Sequence, residues 1–139
     1  MRATPYQAVY YRDSDGNEPV NQAIDRLPDE CQDSVDWSIG LLNSLSDARP
    51  GLPHPYSSAL KGGKYRAFRE LRTSCGGTHY RIIFRRSHRF LILLHIFRKD
   101  TDQVPEAEKK LALERWIDFT RRMDAPVRNP PRAMGRDAP

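Results

Sequence analysis

The chain has 139 residues, enough for one domain around a single buried core. Its 38% hydrophobic and 29% charged composition fits a globular protein and excludes a disordered one. The net charge of +5 is spread unevenly: Lys61 to Lys99 holds eleven basic residues against Glu70 alone, a window of +10, while the other twelve basic and seventeen acidic residues sum to −5.

Residues 6–12 are short, β-branched and aromatic and run into Asp13-Ser14-Asp15-Gly16-Asn17, which predicts a first strand and a turn. Asn17 is placed to cap a helix with Pro19 in its first turn. Val20, Ala23, Ile24 and Leu27 form its apolar stripe at i, i+3, i+4 and i+7. Pro28 breaks that helix and Asp29 starts another, with Cys31, Val35, Ile39, Leu42 and Leu45 as the stripe. Cys31 is therefore expected in the core and not as a nucleophile. Residues 49–58 hold three prolines and are expected to form an extended connector, with His54 exposed and inert.

After Gly62-Gly63 the apolar period changes from 3.6 to 2. This predicts three strands, at about 64–73, 79–86 and 89–97, joined by turns short enough to force antiparallel hairpins. Cys75 falls in the first of these turns, exposed and with nothing to activate it. Pro105 opens a last helix, with Glu106 and Glu108 in its first turn and Leu113, Trp116, Ile117, Thr120 and Met123 as its stripe. The order is β-α-α-β-β-β-α, an α+β domain of hairpin-connected antiparallel strands packed on helices over residues 1–123. Residues 124–139, with four prolines and three arginines, are expected to be a disordered tail.

Phe90 to Leu94 is the longest apolar run, too short to cross a membrane, and Met1-Arg2-Ala3-Thr4-Pro5 lacks the apolar stretch of a signal peptide. Cys31 and Cys75 make no disulfide framework and no C-x-x-C pair, so a reducing cytoplasm is the expected setting. With four scattered histidines they also lack the spacing of zinc ligands, and no metal or other cofactor is expected.

Arginine outnumbers lysine eighteen to five. Its planar fork suits phosphate, so the basic window points to a polyanionic partner. Strand alternation divides that window into two faces. Tyr65, Ala67, Arg69, Leu71, Tyr80, Ile82, Phe84, Phe90, Ile92, Leu94 and Ile96 make a packing face for the helices. Lys64, Arg66, Phe68, Glu70, Arg72, Arg81, Ile83, Arg85, Leu91, Leu93, His95, Phe97 and Lys99 make the other. The second face reads as an RNA platform, in which Lys64, Arg66 and Arg85 hold phosphates and Phe68 or Phe97 stacks a base.

Four segments in a fixed order carry a family resemblance: Glu70-Leu71-Arg72, Tyr80-Arg81-Ile82-Ile83-Phe84, Leu93 to Lys99, and the helix opening at Pro105. Together with the connector Leu52-Pro53-His54-Pro55-Tyr56-Ser57 they resemble the HigB-like branch of the RelE/ParE toxin superfamily, also described as phage-derived Gp49-like proteins. The resemblance runs from about Tyr10 to Met123. It implies the toxin of a type II toxin–antitoxin pair that cleaves mRNA on the ribosome without a metal and so inhibits translation. It also implies a cognate antitoxin, commonly a helix-turn-helix protein. Arg81 matches the family arginine that contacts the scissile phosphate, Lys99 the lysine after the Leu-Leu-His strand, and Glu70 the acid of the Glu-Leu-Arg strand. Asp100 and Val104 depart from the pattern, standing where many relatives have a second lysine and a helix-capping Thr.

Cleavage by 2′-hydroxyl attack needs a base, cations for the charge that develops on the phosphate, and an acid for the leaving oxygen. Arg81 and Arg72 suit the cationic role, to which the resemblance adds Lys99; His95 and Glu70 are the acid–base candidates on that face. Two alternatives stand beside this reading. One is a ParE-like poison of DNA gyrase, and the other an RNA-binding relative without catalytic activity.

Overall fold

The computed structural model describes residues 4–53, 56–100 and 103–124. The expectations for His54 and for a tail from residue 125 onward lie outside the described residues. The elements are β1 (Gln7–Tyr10), α1 (Pro19–Asp25), α2 (Asp29–Leu42), β2 (Ser57–Ala59), β3 (Arg69–Cys75), β4 (Thr78–Ser87), β5 (Phe90–Arg98) and α3 (Glu106–Met123). They build an α+β domain on one five-stranded sheet ordered β1-β5-β4-β3-β2. The sheet is mixed and not wholly antiparallel. β1 runs parallel to β5, while β2, β3, β4 and β5 pair antiparallel.

The turns follow from local chemistry. Gly76 and Gly77, at φ 55° and 84°, form a two-residue loop between the paired Cys75 and Thr78, a geometry that requires left-handed backbone at both centres. Cys75 is thus the last residue of β3 and not part of the turn. The strand expected from residue 64 begins at Arg69. A single 3-10 turn at Gly63–Tyr65 folds the preceding segment back, so that the Phe68 N–H bonds the Tyr65 carbonyl at 2.9 Å. β2 had no alternation to announce it, because Ser57-Ser58-Ala59 is short and carries no large apolar side chain.

Helices cover both faces of the sheet. On one side, α1 and α2 bring Val20, Ile24, Val35 and Leu42 against Leu71, Ile82, Phe84, Leu91 and Leu93. On the other, Ala112 and Phe119 of α3 pack with Val9, Phe68, Ile83, Ile92 and Leu94. The stripe of α3 is therefore centred on Ala112 and Phe119, flanked by Leu113, Trp116 and Met123, and Ile117 is exposed. The helix starts at Glu106 with Pro105 in the cap position and no side-chain cap. Val104 lies one residue outside that position and packs on the core, so its replacement of Thr removes no cap. Likewise α1 is entered through Glu18 and not capped by Asn17, whose N–H bonds the Asp13 side chain at 2.8 Å.

A bulge corrects the assignment of β5. Ile83 pairs with His95 and Phe84 with Leu93, leaving Leu94 as the extra residue. Leu91 and Leu93 consequently face α1 and α2, whereas Ile92 and Leu94 face α3, the reverse of the simple alternation. The Leu94 carbonyl accepts a 2.7 Å hydrogen bond from Arg115 of α3.

Cys31 and Cys75 are joined as a disulfide across 44 residues of sequence, tying the start of α2 to the end of β3. Cys31 is buried, as its place on the stripe predicts, but neither cysteine is a free thiol. The inference of a reducing compartment from their number and spacing therefore loses its basis. No helix among the described residues is long and apolar enough to cross a membrane.

Candidate functional site

α3 covers only part of its sheet face. From its margin outward, the strand register brings the basic window together in rows. Ser74 lies opposite His79, whose carbonyl accepts a 2.8 Å hydrogen bond from the Lys99 N–H. The next row is Arg72, Arg81 and Phe97, and the one after it is Glu70, Ile83 and His95. Neighbours across a row stand about 5 Å apart, and i, i+2 neighbours along a strand about 7 Å. Arg81 thus has Arg72 beside it and His79 two residues before it on the same face.

Glu70 organises this cluster. It is 3% exposed, and its Oε1 lies 3.1 Å from Arg72 Nη2 and 3.8 Å from Arg81 Nε. Ser58 on β2 donates to the same oxygen at 3.1 Å and accepts from Arg72 Nη2 at 3.1 Å. One buried carboxylate therefore holds two guanidinium groups side by side. Burial pulls Arg81 below its ordinary pKa, Glu70 opposes that shift and Arg72 adds to it. Arginine titrates so high that Arg81 stays cationic at neutral pH all the same. Its Nη1 donates to the Tyr80 carbonyl at 3.1 Å, which fixes the plane of the fork.

The cluster opens to solvent on two sides. A groove of about 650 Å³ is lined by Arg72, Arg81, His79 and Ser74 together with Trp37 of α2 and Tyr56 ahead of β2. A smaller recess of about 270 Å³ is lined by Ser58, Glu70, Arg72, Lys99 and Lys109. Arg72 stands between the two. Arg81, Arg72, Glu70 and Lys99 are thereby brought into one neighbourhood.

His95 is not part of it. Its imidazole pairs with Glu108 of α3, lies 3.3 Å from Arg115 through Nδ1 and stacks on Phe97 at a centroid distance of 5.7 Å. Burial lowers its pKa, and the hydrogen bond to Glu108 partly opposes that shift. Ile83 stands between His95 and Glu70, two strand spacings apart or about 10 Å, so these two acid–base candidates do not meet.

The expected RNA-binding residues also divide. Phe68 is fully buried, so it cannot stack a base; the 3-10 turn before it directs the ring into the core. Arg85 is half-buried against aromatic rings, with its guanidinium 5.1 Å from the centroid of Phe68 and 4.4 Å from that of Trp116. Phe97 is partly buried and engaged by His95. Lys64 and Arg66 are exposed, but in and just after the 3-10 turn that precedes β3 and not on the strand.

Sequence reasoning passed over His79, Ser58, Trp37 and Tyr56. His79 was within reach, because it opens the strand two residues before Arg81 and alternation puts both on one face. Ser58 and Tyr56 owe their places to the unannounced strand β2, where the Arg72 N–H bonds the Tyr56 carbonyl at 2.9 Å.

The family model for Phage derived protein Gp49-like (DUF891) matches residues 22–117, more than half of the chain and all of the cluster just described. The chain belongs to this family. No curated protein matches it. The matched span of this Gp49-like chain runs from α1 into α3, so it includes both helical layers, β2 to β5 and every residue of the Glu70 network.

Proposed function

We propose that this Gp49-like protein is the toxin of a type II toxin–antitoxin pair, with a RelE-like topology, and that it inhibits translation by cutting mRNA on the ribosome. The observation that carries this reading is the Arg72–Arg81 pair held on buried Glu70 at the mouth of an open groove, beside His79 and Lys99. The 2′-hydroxyl attacks the adjacent phosphorus, a 2′,3′-cyclic phosphate forms, and the bond to the 5′ oxygen breaks. Arg81 and Arg72 straddle the phosphate oxygens and stabilise the charge that grows on them. His79 lines the groove with these arginines, bonded through Nδ1 to Ser74 Oγ at 2.7 Å, and in this reading it moves the proton from the 2′-hydroxyl to the leaving 5′ oxygen. Glu70 acts by holding the two guanidinium groups, not by taking a proton.

A free basic nuclease face would be harmful to its own cell, and a neighbouring antitoxin of complementary charge would cover it. The test is induction of the chain alone in growing cells. Growth arrest with mRNA cut inside translated regions is the expected result. Intact mRNA with normal translation would overturn the reading, and DNA damage with normal translation would transfer it to gyrase.

A further inference from the structure

We infer that the groove beside the arginine pair is a nucleotide-binding site for single-stranded RNA, in which Trp37 and Tyr56 stack the bases next to the phosphate held by Arg72 and Arg81. The inference rests on the proposed ribonuclease reading and names its base-binding residues.

Trp37 is 62% exposed and Tyr56 44%, two of the three large hydrophobic side chains left exposed among the described residues. Both line the same groove, which ends on Arg72 and Arg81. Both rings thus present a large part of their surface to solvent at the mouth of a cationic groove. Trp37 lies one turn beyond Ser34, whose carbonyl accepts a 3.4 Å hydrogen bond from Thr73, and this contact seats α2 against β3. Tyr56 is held against the other flank by its carbonyl's bond from Arg72. β2 stops pairing at Leu71, so the groove crosses β3 where that strand has become an open edge.

The chemistry of the walls selects the occupant. Two guanidinium groups favour a phosphate and aromatic faces accept any base, while the Ser74 hydroxyl beside them is bonded to His79 Nδ1 at 2.7 Å. Asp33 also lines the groove, and it disfavours a phosphate at the α2 end. A nucleotide therefore lies with its phosphate toward β4 and its base toward α2. Phe68 and Phe97, engaged in packing, leave this role to Trp37 and Tyr56.

The test uses the full-length chain and a short single-stranded oligoribonucleotide with 2′-O-methyl riboses, which cannot be cleaved by its own hydroxyl. Binding is followed by tryptophan fluorescence and by an independent anisotropy titration. Quenching on binding is expected, with most of it lost in Trp37→Phe while affinity is kept. Trp37→Ala and Tyr56→Ala should each weaken binding by about tenfold, the usual effect of losing one stacking partner. Thermal melts should be unchanged, because both side chains are exposed.

Full affinity in both alanine variants, with binding still sensitive to Arg81→Ala, would overturn the inference and leave the ribonuclease reading standing. No binding by the unmodified chain at low salt would overturn it as well. So would quenching by a protein partner and not by RNA. A tenfold loss in both variants, together with no mRNA cleavage on ribosomes, would support the RNA site and sink the nuclease reading.

Discussion

The two ends of the α3-facing side of the sheet carry the same kinds of residue and do different things with them. At the covered end, Arg85 lies between Phe68 and Trp116, and His95 is paired with Glu108 beneath α3. At the open end, Arg81 and Arg72 share Glu70 and face a groove. Arg81 and Arg85 are four residues apart on one strand and point to the same side. What separates them is the helix above. Under α3 a cation lies against aromatic rings and contributes packing, whereas Arg81 and Arg72, whose side chains are 11% and 29% exposed, also form part of a groove wall. The ends also hold together differently. α3 secures one by apolar burial, while the other depends on an ion network and on the disulfide between α2 and β3.

Reduction should break the comparison most sharply. Opening a disulfide that closes 44 residues of chain costs about 4 kcal/mol in the chain-entropy treatment. A dithiol should therefore lower the urea midpoint strongly, and Cys31→Ser with Cys75→Ser should reproduce the loss. A midpoint indifferent to the dithiol would show that packing alone holds the open end. Next in size is Glu70→Ala, which leaves two guanidinium groups beside each other without their carboxylate. About 3 kcal/mol of stability should be lost, read from denaturant melts. Arg85→Ala should cost about 1 kcal/mol through its two aromatic contacts and leave the salt dependence of RNA binding unchanged. A slope reduced by about 0.7 would return Arg85 to the RNA interface.

The smallest effect concerns His95. Its folded pKa lies below the unfolded value, so the unfolded chain binds the proton more tightly. The stability this supplies is complete above about pH 6.5 and declines as the pH falls toward the folded value. Melts between pH 7.5 and 5 should show that decline, and His95→Gln should reduce it. Single-turnover cleavage by His95→Gln should retain its neutral-pH profile, since His95 lines neither recess at the arginine pair.

Much of the fold was legible because its signals are local. The stripe Val20, Ile24, Val35 and Leu42, the Gly76-Gly77 turn and the alternation of Arg81, Ile83 and Arg85 each specify an element from neighbouring residues. The corrections arise where distance in space matters more than distance in sequence. The Cys31–Cys75 bond joins residues that no spacing rule pairs, and the parallel union of β1 with β5 crosses most of the chain. Leu94 shows a subtler limit, because one extra residue reverses the faces on either side of it and alternation contains no sign of it. For the site, the row containing Arg72 and Arg81 was visible as a basic face. Which members α3 covers depends on where that later helix comes to rest on the sheet. His95 and Phe68 were placed at the site for that reason, and Trp37, on a helix assigned to packing, was left out.

The central claim is that the open end of this face does chemistry that the covered end does not. Single-turnover mRNA cleavage on programmed ribosomes, at saturating protein, tests it most directly by comparing Arg81→Ala with Arg85→Ala. Arg81→Ala should cut the rate by about 10²-fold, as losing one donor aimed at developing charge typically does, while Arg85→Ala cleaves at close to the unmodified rate. Near-full cleavage by Arg81→Ala, or an equal loss in both variants, would contradict the account.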